Sequence, residues 1–232
     1  MIDLLDVVLV ALVVAGIAVL AWWLLIASEG VYLGRQVVIW LYDVYASRYD
    51  SIKHYRSEYE HQFLAQPLLE QIAPQVDPIV LDVATGTGRM PLALMHHMRF
   101  EGRVVATDLS ERMLRQAKAK LADETRAICM LAPAERLPFD DGTFDVVTCL
   151  EAIEFMIDRH TVLTELMRVL RPGGLLLLSN RINTRLMPGK LYSSDELVAE
   201  FAAMDADTIY IERWQVDYDL VWVKKMTENE RA

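Results

Sequence analysis

The 232-residue chain is poor in the residues that build disulfide and metal sites. It holds two cysteines, Cys129 and Cys149, each inside an apolar run, with no CxxC pair and no histidine at zinc-ligand spacing. That pattern argues against a disulfide scaffold or a zinc site, so no metal is expected, and both thiols read as core residues of strands. No internal repeat and no low-complexity tract interrupts the chain. Basic charge is also scarce: 23 Lys and Arg stand against 33 Asp and Glu, a net charge of −10. Residues 1–30 carry Asp3, Asp6 and Glu29 and no cation, which leaves −7 for the remainder. An acidic domain repels phosphate backbones at long range, so no nucleic-acid partner is expected.

Apolar residues, by contrast, are abundant. They make up 53% of the chain, and the mean hydropathy is +0.20. Much of this excess sits at the start. Val7–Ala27 has no charge and no proline, and a helix of that length spans roughly 30 Å, the thickness of a bilayer's hydrocarbon. Trp22 and Trp23 lie near one end, where indoles favour headgroups. The leading residues are acidic and no small-x-small site follows, so a cleaved signal peptide fits poorly. Residues 1–30 are therefore expected to form a single transmembrane anchor. Arg35, Arg48, Lys53 and Arg56 follow the span, which places the rest of the chain on the cytoplasmic side. In residues 31–60, aromatics (Tyr32, Trp40, Tyr42, Tyr45, Tyr49) alternate with cations. Two readings stay open for this segment: a helix lying along the headgroups, or a helix packed on the following domain.

Residues 61–232 read as one α/β domain. Strand-like runs occur at Ile79–Val83, Arg103–Thr107, Ala127–Leu131, Phe144–Leu150 and Leu175–Ser179. Helical stretches lie between them at Arg89–Arg99, Ser110–Ala122 and Arg159–Leu170, with Pro172-Gly173-Gly174 ending the last. Such alternation means a mostly parallel sheet with helices on both faces. Ser193 and Glu196 form a capping-box spacing ahead of a helix at Asp195–Met204. Thr208–Trp214 and Tyr218–Lys225 then read as an antiparallel hairpin at the sheet edge.

The first strand runs into Asp82-Val83-Ala84-Thr85-Gly86-Thr87-Gly88. Gly86 and Gly88 permit a tight turn and close backbone approach to a ligand. The helix beginning near Arg89 aims free N–H groups at the loop. Asp108 ends the second strand, placed to accept from both ribose hydroxyls of a nucleotide. A dinucleotide fingerprint would want a small residue at position 91, which is Pro, so NAD is disfavoured.

Five blocks in order, LDVATGTG, ATDLS, AERLPFDDGTFDVV, LEAIEFM and ELMRVLRPGGLLLLSN, resemble the signatures of class I S-adenosylmethionine-dependent methyltransferases. The likeness is nearest to the small-molecule branch that includes the ubiquinone and menaquinone biosynthesis methyltransferases, and it covers roughly residues 43–225. It implies a Rossmann-like seven-stranded sheet with the last strand antiparallel, and S-adenosyl-L-methionine as cofactor. It places Asp82 near the methionine amino group, Ala84, Gly86 and Gly88 in the cofactor loop, and Asp108 on the ribose. Leu109 would pack on the adenine and Ala134 would offer it a backbone N–H. Leu150 and Glu151 would line the methionine end and the substrate mouth. The pattern departs in two places. Pro133 stands where relatives carry an acid for the adenine amino group, with Glu135 as substitute, and Ile153-Glu154-Phe155-Met156 replaces a His-rich stretch.

Methyl transfer from a sulfonium needs alignment and exclusion of water, and a base only where the acceptor must lose a proton. Glu151 and Glu154 are the candidate bases, with His160 weaker. Exposed helix surface is the competing reading for Glu154 and His160, and cofactor contact alone for Glu151. His96 and His97 read as surface residues. Asn180–Ser194, with Arg181, Arg185 and Lys190, reads either as a lid meeting an anionic acceptor or as a solvated loop. The leading expectation is methyl transfer to a small lipophilic acceptor, a quinone precursor or lipid, at the cytoplasmic membrane face. The alternatives are a soluble metabolite or protein acceptor, and a non-catalytic cofactor-binding regulator.

Overall fold

The computed structural model describes residues 3–183 and 185–230. Helix α1, Leu4–Trp22, continues through a π-helical turn at Trp23–Ala27. This stretch of 24 residues is long and apolar enough to cross a membrane, and no part of its apolar window is covered by the rest of the chain. A tight turn follows, with Glu29 at φ 50° and Gly30 at φ 76°. Gly30's φ is one that side-chain-bearing residues rarely adopt, and a Cβ there would lie 2.7 Å from Leu41 Cδ1, so glycine is favoured. Next come α2 (Arg35–Tyr45), α3 (Tyr49–Ile52), α4 (Ser57–Glu60) and, beyond a second π turn, α5 (Gln66–Gln71).

The sheet has seven strands: β1 Ile79–Val83, β2 Arg103–Asp108, β3 Ala127–Leu131, β4 Phe144–Cys149, β5 Leu170–Arg181, β6 Ala206–Arg213 and β7 Tyr218–Lys225. Their order is β3-β2-β1-β4-β5-β7-β6. β1 to β5 pair in parallel, and β7 runs antiparallel between β5 and β6. The hairpin read from the sequence is present, with β6 as the outer strand. Helices α6 (Arg89–Met95), α7 (Glu111–Lys120), α8 (Arg159–Val169) and α9 (Ser194–Ala202) complete the fold.

Side chains alternate across a strand, and the core follows that period. Leu81, Val147, Leu176, Leu178, Val221 and Val223 face α8 and α9, where Leu163, Leu166 and Phe201 are fully buried. Val80, Val146, Leu175, Leu177, Leu220 and Trp222 face the other way, onto α5 and α6. Ser110 caps α7 by accepting from Met113 N at 3.1 Å, and the Ser193 capping box at α9 is formed.

Several boundaries differ from the sequence reading. Pro172-Gly173-Gly174 does not separate helix from strand by a free turn. It lies inside β5, where a register shift against β4 and Gly173 at φ 71° absorb the extra residues. Helix α6 stops at Met95, and β4 stops before Leu150. His97 is not a surface residue: it is buried, stacks on His61 at 4.7 Å, and its Nδ1 accepts from Arg99 N. Cys149 is a core thiol as expected, whereas Cys129 is only half-buried.

Candidate active site

In an open α/β sheet ligands bind beyond the carboxyl ends of the strands, where the strand order reverses. Here that point lies between β1 and β4, and a cavity of about 1090 Å³ including its mouth opens there. Asp82, Ala84, Gly86, Asp108, Leu109, Ala134, Glu135 and Leu150 all line it. Gly88 is the exception among the residues read from the sequence. A Cβ there would lie 3.0 Å from Ala117 Cβ, so Gly88 serves the close approach of α7 rather than of a ligand.

The loop after β1 is held open by its own backbone. Thr85 N–H donates to Thr107 O at 2.8 Å, and Gly88 N–H to Thr85 O at 3.0 Å. Ala84 and Gly86 both have positive φ, and nothing lies within 4 Å of where a Gly86 Cβ would sit. The cradle is thus empty space bordered by bare backbone. The carboxylate of Asp108 accepts from Gly86 N–H and Ser110 N–H, each at 2.8 Å, which fixes its plane. Burial pushes its carboxyl up, against the pull of those bonds. Asp82 is fully enclosed: burial pushes it up to about 6, while the Thr148 hydroxyl, donating at 2.5 Å, pulls it down. A buried carboxylate with no ion pair among the described residues suits a ligand cation.

Glu135 bonds Arg35 through Oε1, and its Oε2 is buried with no partner among the described residues. It therefore has a free acceptor on the cavity wall, close to Pro133. These features fit an adenosyl group joined to an amino acid: a fixed acid for a ribose diol, a free acceptor beside the ring site, and a buried acid for the amino group.

Glu151 sits just past β4 at φ 50°, a strained position for a non-glycine residue. Its N–H donates to Ser179 Oγ at 2.6 Å. Lys53 at 2.9 Å and Arg89 at 3.2 Å flank its carboxylate. Burial would raise the acid, but the two cations override it and hold Glu151 below the usual range. Glu154 is not on an exposed helix face. It is 1% exposed, in a 3-10 turn behind the cavity wall, and its Oε1 accepts from the Tyr218 hydroxyl at 2.6 Å. Burial pushes it up to about 7. His160 is exposed and pairs with Glu200 at 2.7 Å, away from the cavity wall.

Much of the wall comes from the N-terminal helices. Arg35, Val38, Ile39 and Tyr42 of α2, with Tyr49 of α3, face the cavity. Asp43 accepts from Ser110 Oγ at 2.5 Å and Arg112 N at 3.2 Å, extending the cap of α7. Asp50 accepts from Thr87 Oγ1 and pairs with Lys120, both at 2.5 Å. Tyr42 donates to Glu29 at 3.0 Å, and Glu29 pairs with Arg181 at 3.3 Å. The loop after β5 closes on the same corner: Tyr32 donates to Pro188 O at 2.6 Å, and Met187 is fully buried. Arg185, by contrast, is exposed. The segment 31–60 thus packs on the domain, while Leu33, Trp40 and Val44 remain exposed on its outer side. Arg89, which also bonds Glu60, was not singled out by the sequence reading, although its place directly after Gly88 was a usable signal. Lys53, Glu60 and Tyr218 had none, because their partners lie far away in the chain.

Residues 81–178 match the protein family described as methyltransferase domain. The ubiquinone/menaquinone biosynthesis C-methyltransferase UbiE of Shewanella frigidimarina is 33% identical over 135 residues, 57% of this chain and 54% of that protein. The UbiE of Idiomarina loihiensis is 32% identical over 149 residues, 62% of this chain and 59% of that protein. The chain spans little more than half the length of these curated relatives. The fold matches the crystal structure of a SAM dependent methyltransferase from Aquifex aeolicus with a TM-score of 0.62 at 20% identity, covering 78% of this chain and 97% of that one.

Proposed function

Taking residues 81–178 as a domain of the class I S-adenosylmethionine-dependent methyltransferases related to UbiE, we propose that the chain methylates a small lipophilic acceptor, of quinone-precursor or lipid type, at the cytoplasmic face of a membrane. One observation carries the cofactor part: all the cofactor residues read from the sequence except Gly88 line one cavity at the strand-order reversal. S-adenosylmethionine supplies an electrophilic methyl on a sulfonium, whose departure as a neutral thioether needs no acid. Asp108 would hold the ribose hydroxyls, Leu109 and Ala134 would pack on and bond the adenine, and Glu135 Oε2 would accept from the adenine amino group. Asp82 would face the methionine amino group. Arg89, ion-paired to Glu151 and Glu60, would fix the methionine end and close the wall against water.

Residues 1–30 are the anchor in this reading, 31–60 a helical cover, and 61–232 the catalytic domain. The uncovered apolar helix α1 supports it, as do exposed Leu33 in the following turn and the exposed Trp40–Val44 side of α2, which suit the headgroup boundary. Arg48, exposed just beyond the span, agrees with a cytoplasmic domain.

Calorimetric titration of the full chain in detergent micelles tests the cofactor. Binding of S-adenosylmethionine, abolished in Asp108→Ala and absent with NAD, is expected; binding of NAD alone, or of neither, would refute the reading. Comparing the full chain with residues 28–232 on an acceptor dissolved in vesicles tests the location. A fall of at least ~10-fold is expected from loss of effective concentration. Equal rates would favour a soluble acceptor.

A further inference from the structure

The fold buries the Glu154 carboxylate without an ion-pair partner among the described residues. Oε1 takes the Tyr218 hydroxyl, and Oε2 is buried and unpartnered. Tyr218 is itself buried, yet it forms part of the wall of a second cavity, of about 660 Å³ including its mouth, together with Lys53, Arg89, Glu151 and Arg181. This cavity and the cofactor cavity share Arg89 and Glu151. The two cavities therefore adjoin at those two side chains, which are ion-paired to each other.

Resting on the methyl-transfer reading, we propose that the second cavity is the acceptor subsite, that it takes a molecule with an acidic hydroxyl such as a phenol or enol, and that Tyr218 and Glu154 carry that proton away as a relay. The acceptor O–H gives its proton to Tyr218 Oη as Tyr218 passes its own to Glu154 Oε1. One O–H bond breaks and one forms at Tyr218. The net change is an acceptor oxyanion and a neutral Glu154. The electron pair left on the acceptor then forms the new bond to the methyl carbon, and the C–S pair stays with sulfur.

The surroundings favour this division of labour. Lys53, Arg89 and Arg181 outnumber the acids Glu151 and Asp217 on the wall. Arg89 and Arg181, both on the wall, each carry a buried Nε without an acceptor among the described residues. Glu151 is a poor base because Lys53 and Arg89 hold it ionised. The groups that act on Glu154 are Tyr218, Arg181, Glu29, Tyr42, Tyr49 and Cys149. Burial drives the three tyrosines and the thiol upward, so they keep their protons. Arg181 stays cationic against Glu29. Glu154 is left to exchange its proton near neutrality, where a base is most useful.

The test is proton uptake on binding 4-nitrophenolate, a ready-made oxyanion, by the full chain in micelles with S-adenosylhomocysteine present. Calorimetry in buffers of different ionisation enthalpy reads the uptake at a pH about one unit above that at which Glu154 titrates. The wild type is expected to take up close to one proton, because Glu154 must be neutral beside the bound anion. Glu154→Gln is expected to bind the probe and take up none. Tyr218→Phe is expected to bind about tenfold more weakly, the loss of one charge-assisted hydrogen bond, also without uptake. Equal uptake in wild type and variants, or no binding of the probe, would overturn the proposal. Failure of S-adenosylhomocysteine to bind in the same calorimeter would instead fault the methyltransferase reading beneath it.

Discussion

Glu154→Gln gives a stability change whose sign depends on pH. Burial raises the Glu154 carboxyl from 4.5 to about 7. Between those values the folded chain holds a proton that the unfolded chain has released, so stability falls as pH rises through that window. The penalty is absent below the unfolded value and complete above about 7. At ~1.4 kcal/mol for each unit, the full effect is about 3 kcal/mol. Glutamine can accept from Tyr218 as Glu154 does, and it never ionises. Its amide N–H takes the place of the unpartnered Oε2 and costs about 1 kcal/mol at every pH. Asp82, also raised, to about 6, contributes equally to both proteins and cancels. The variant is therefore expected to be slightly less stable than wild type at pH about 4.5 and about 2 kcal/mol more stable at pH about 8. For a domain of this size the relative melting temperature should move by on the order of 10 °C across that range. Thermal denaturation of both proteins in micelles, without cofactor, followed by tryptophan fluorescence, measures it. A difference that does not change with pH would show that burial does not raise Glu154, and the relay through Tyr218 would be left with an ordinary, much weaker base as its proton acceptor.

The two loop glycines should separate binding from folding. Gly88→Ala, at φ 80° and against the Ala117 backbone at 3.2 Å, should cost about 2 kcal/mol in a urea titration; an unchanged midpoint would mean α7 is free to move. Gly86→Ala has the same backbone strain but no clash, and its methyl enters the cradle. It should weaken S-adenosylmethionine by at least ~10-fold in calorimetry, and unaltered affinity would exclude the cradle as the cofactor's seat. Asp43→Ala removes the acceptor for Ser110 Oγ and Arg112 N, so α7 should lose about 1 kcal/mol. Faster amide exchange in its first turn is the expected signature, and unchanged exchange would show that the N-terminal helices do not brace the domain.

The elements legible in the sequence were those whose signal is local. Strand β1, the loop at residues 84–88 and Asp108 announce themselves within one stretch of chain, because a strand, a turn and a helix start need neighbouring residues. The cap at Ser110 and the capping box at Ser193 are local for the same reason. Glu154 was noticed as a candidate but not placed. Its burial depends on Tyr218, 64 residues later, and on a 3-10 turn that has no periodic pattern. The Pro172-Gly173-Gly174 stretch carries turn chemistry, but pairing with β4 turned it into a bulged strand. His97 reads as polar surface until His61, from another element, stacks on it.

Segment 31–60 was ambiguous for a more instructive reason. Its alternating aromatics and cations suit headgroups and a protein surface equally well, and the choice rests on partners 60 or more residues away: Ser110 for Asp43, Glu135 for Arg35, Glu151 for Lys53. Arg35, Asp43 and Lys53 are engaged by the domain, whereas Leu33, Trp40 and Val44 are exposed. One helix therefore covers the cofactor cavity on its inner side and offers an apolar edge on its outer side. Glu29, two residues beyond the apolar N-terminal helix, bonds both Tyr42 on the cavity wall and Arg181 beside the second cavity. Movement of the N-terminal helix relative to the domain must then strain or break these contacts. A truncation that removes Glu29 alters the site as well as the apolar helix, so loss of activity in residues 31–232 alone would not test the proposed membrane attachment. The cut after residue 27 retains Glu29 but removes the Trp23 ring stacked on Tyr32 and the Leu24 carbonyl that accepts from Gly30 N–H, so a chain with α1 intact, compared with and without vesicles, is the cleaner measure.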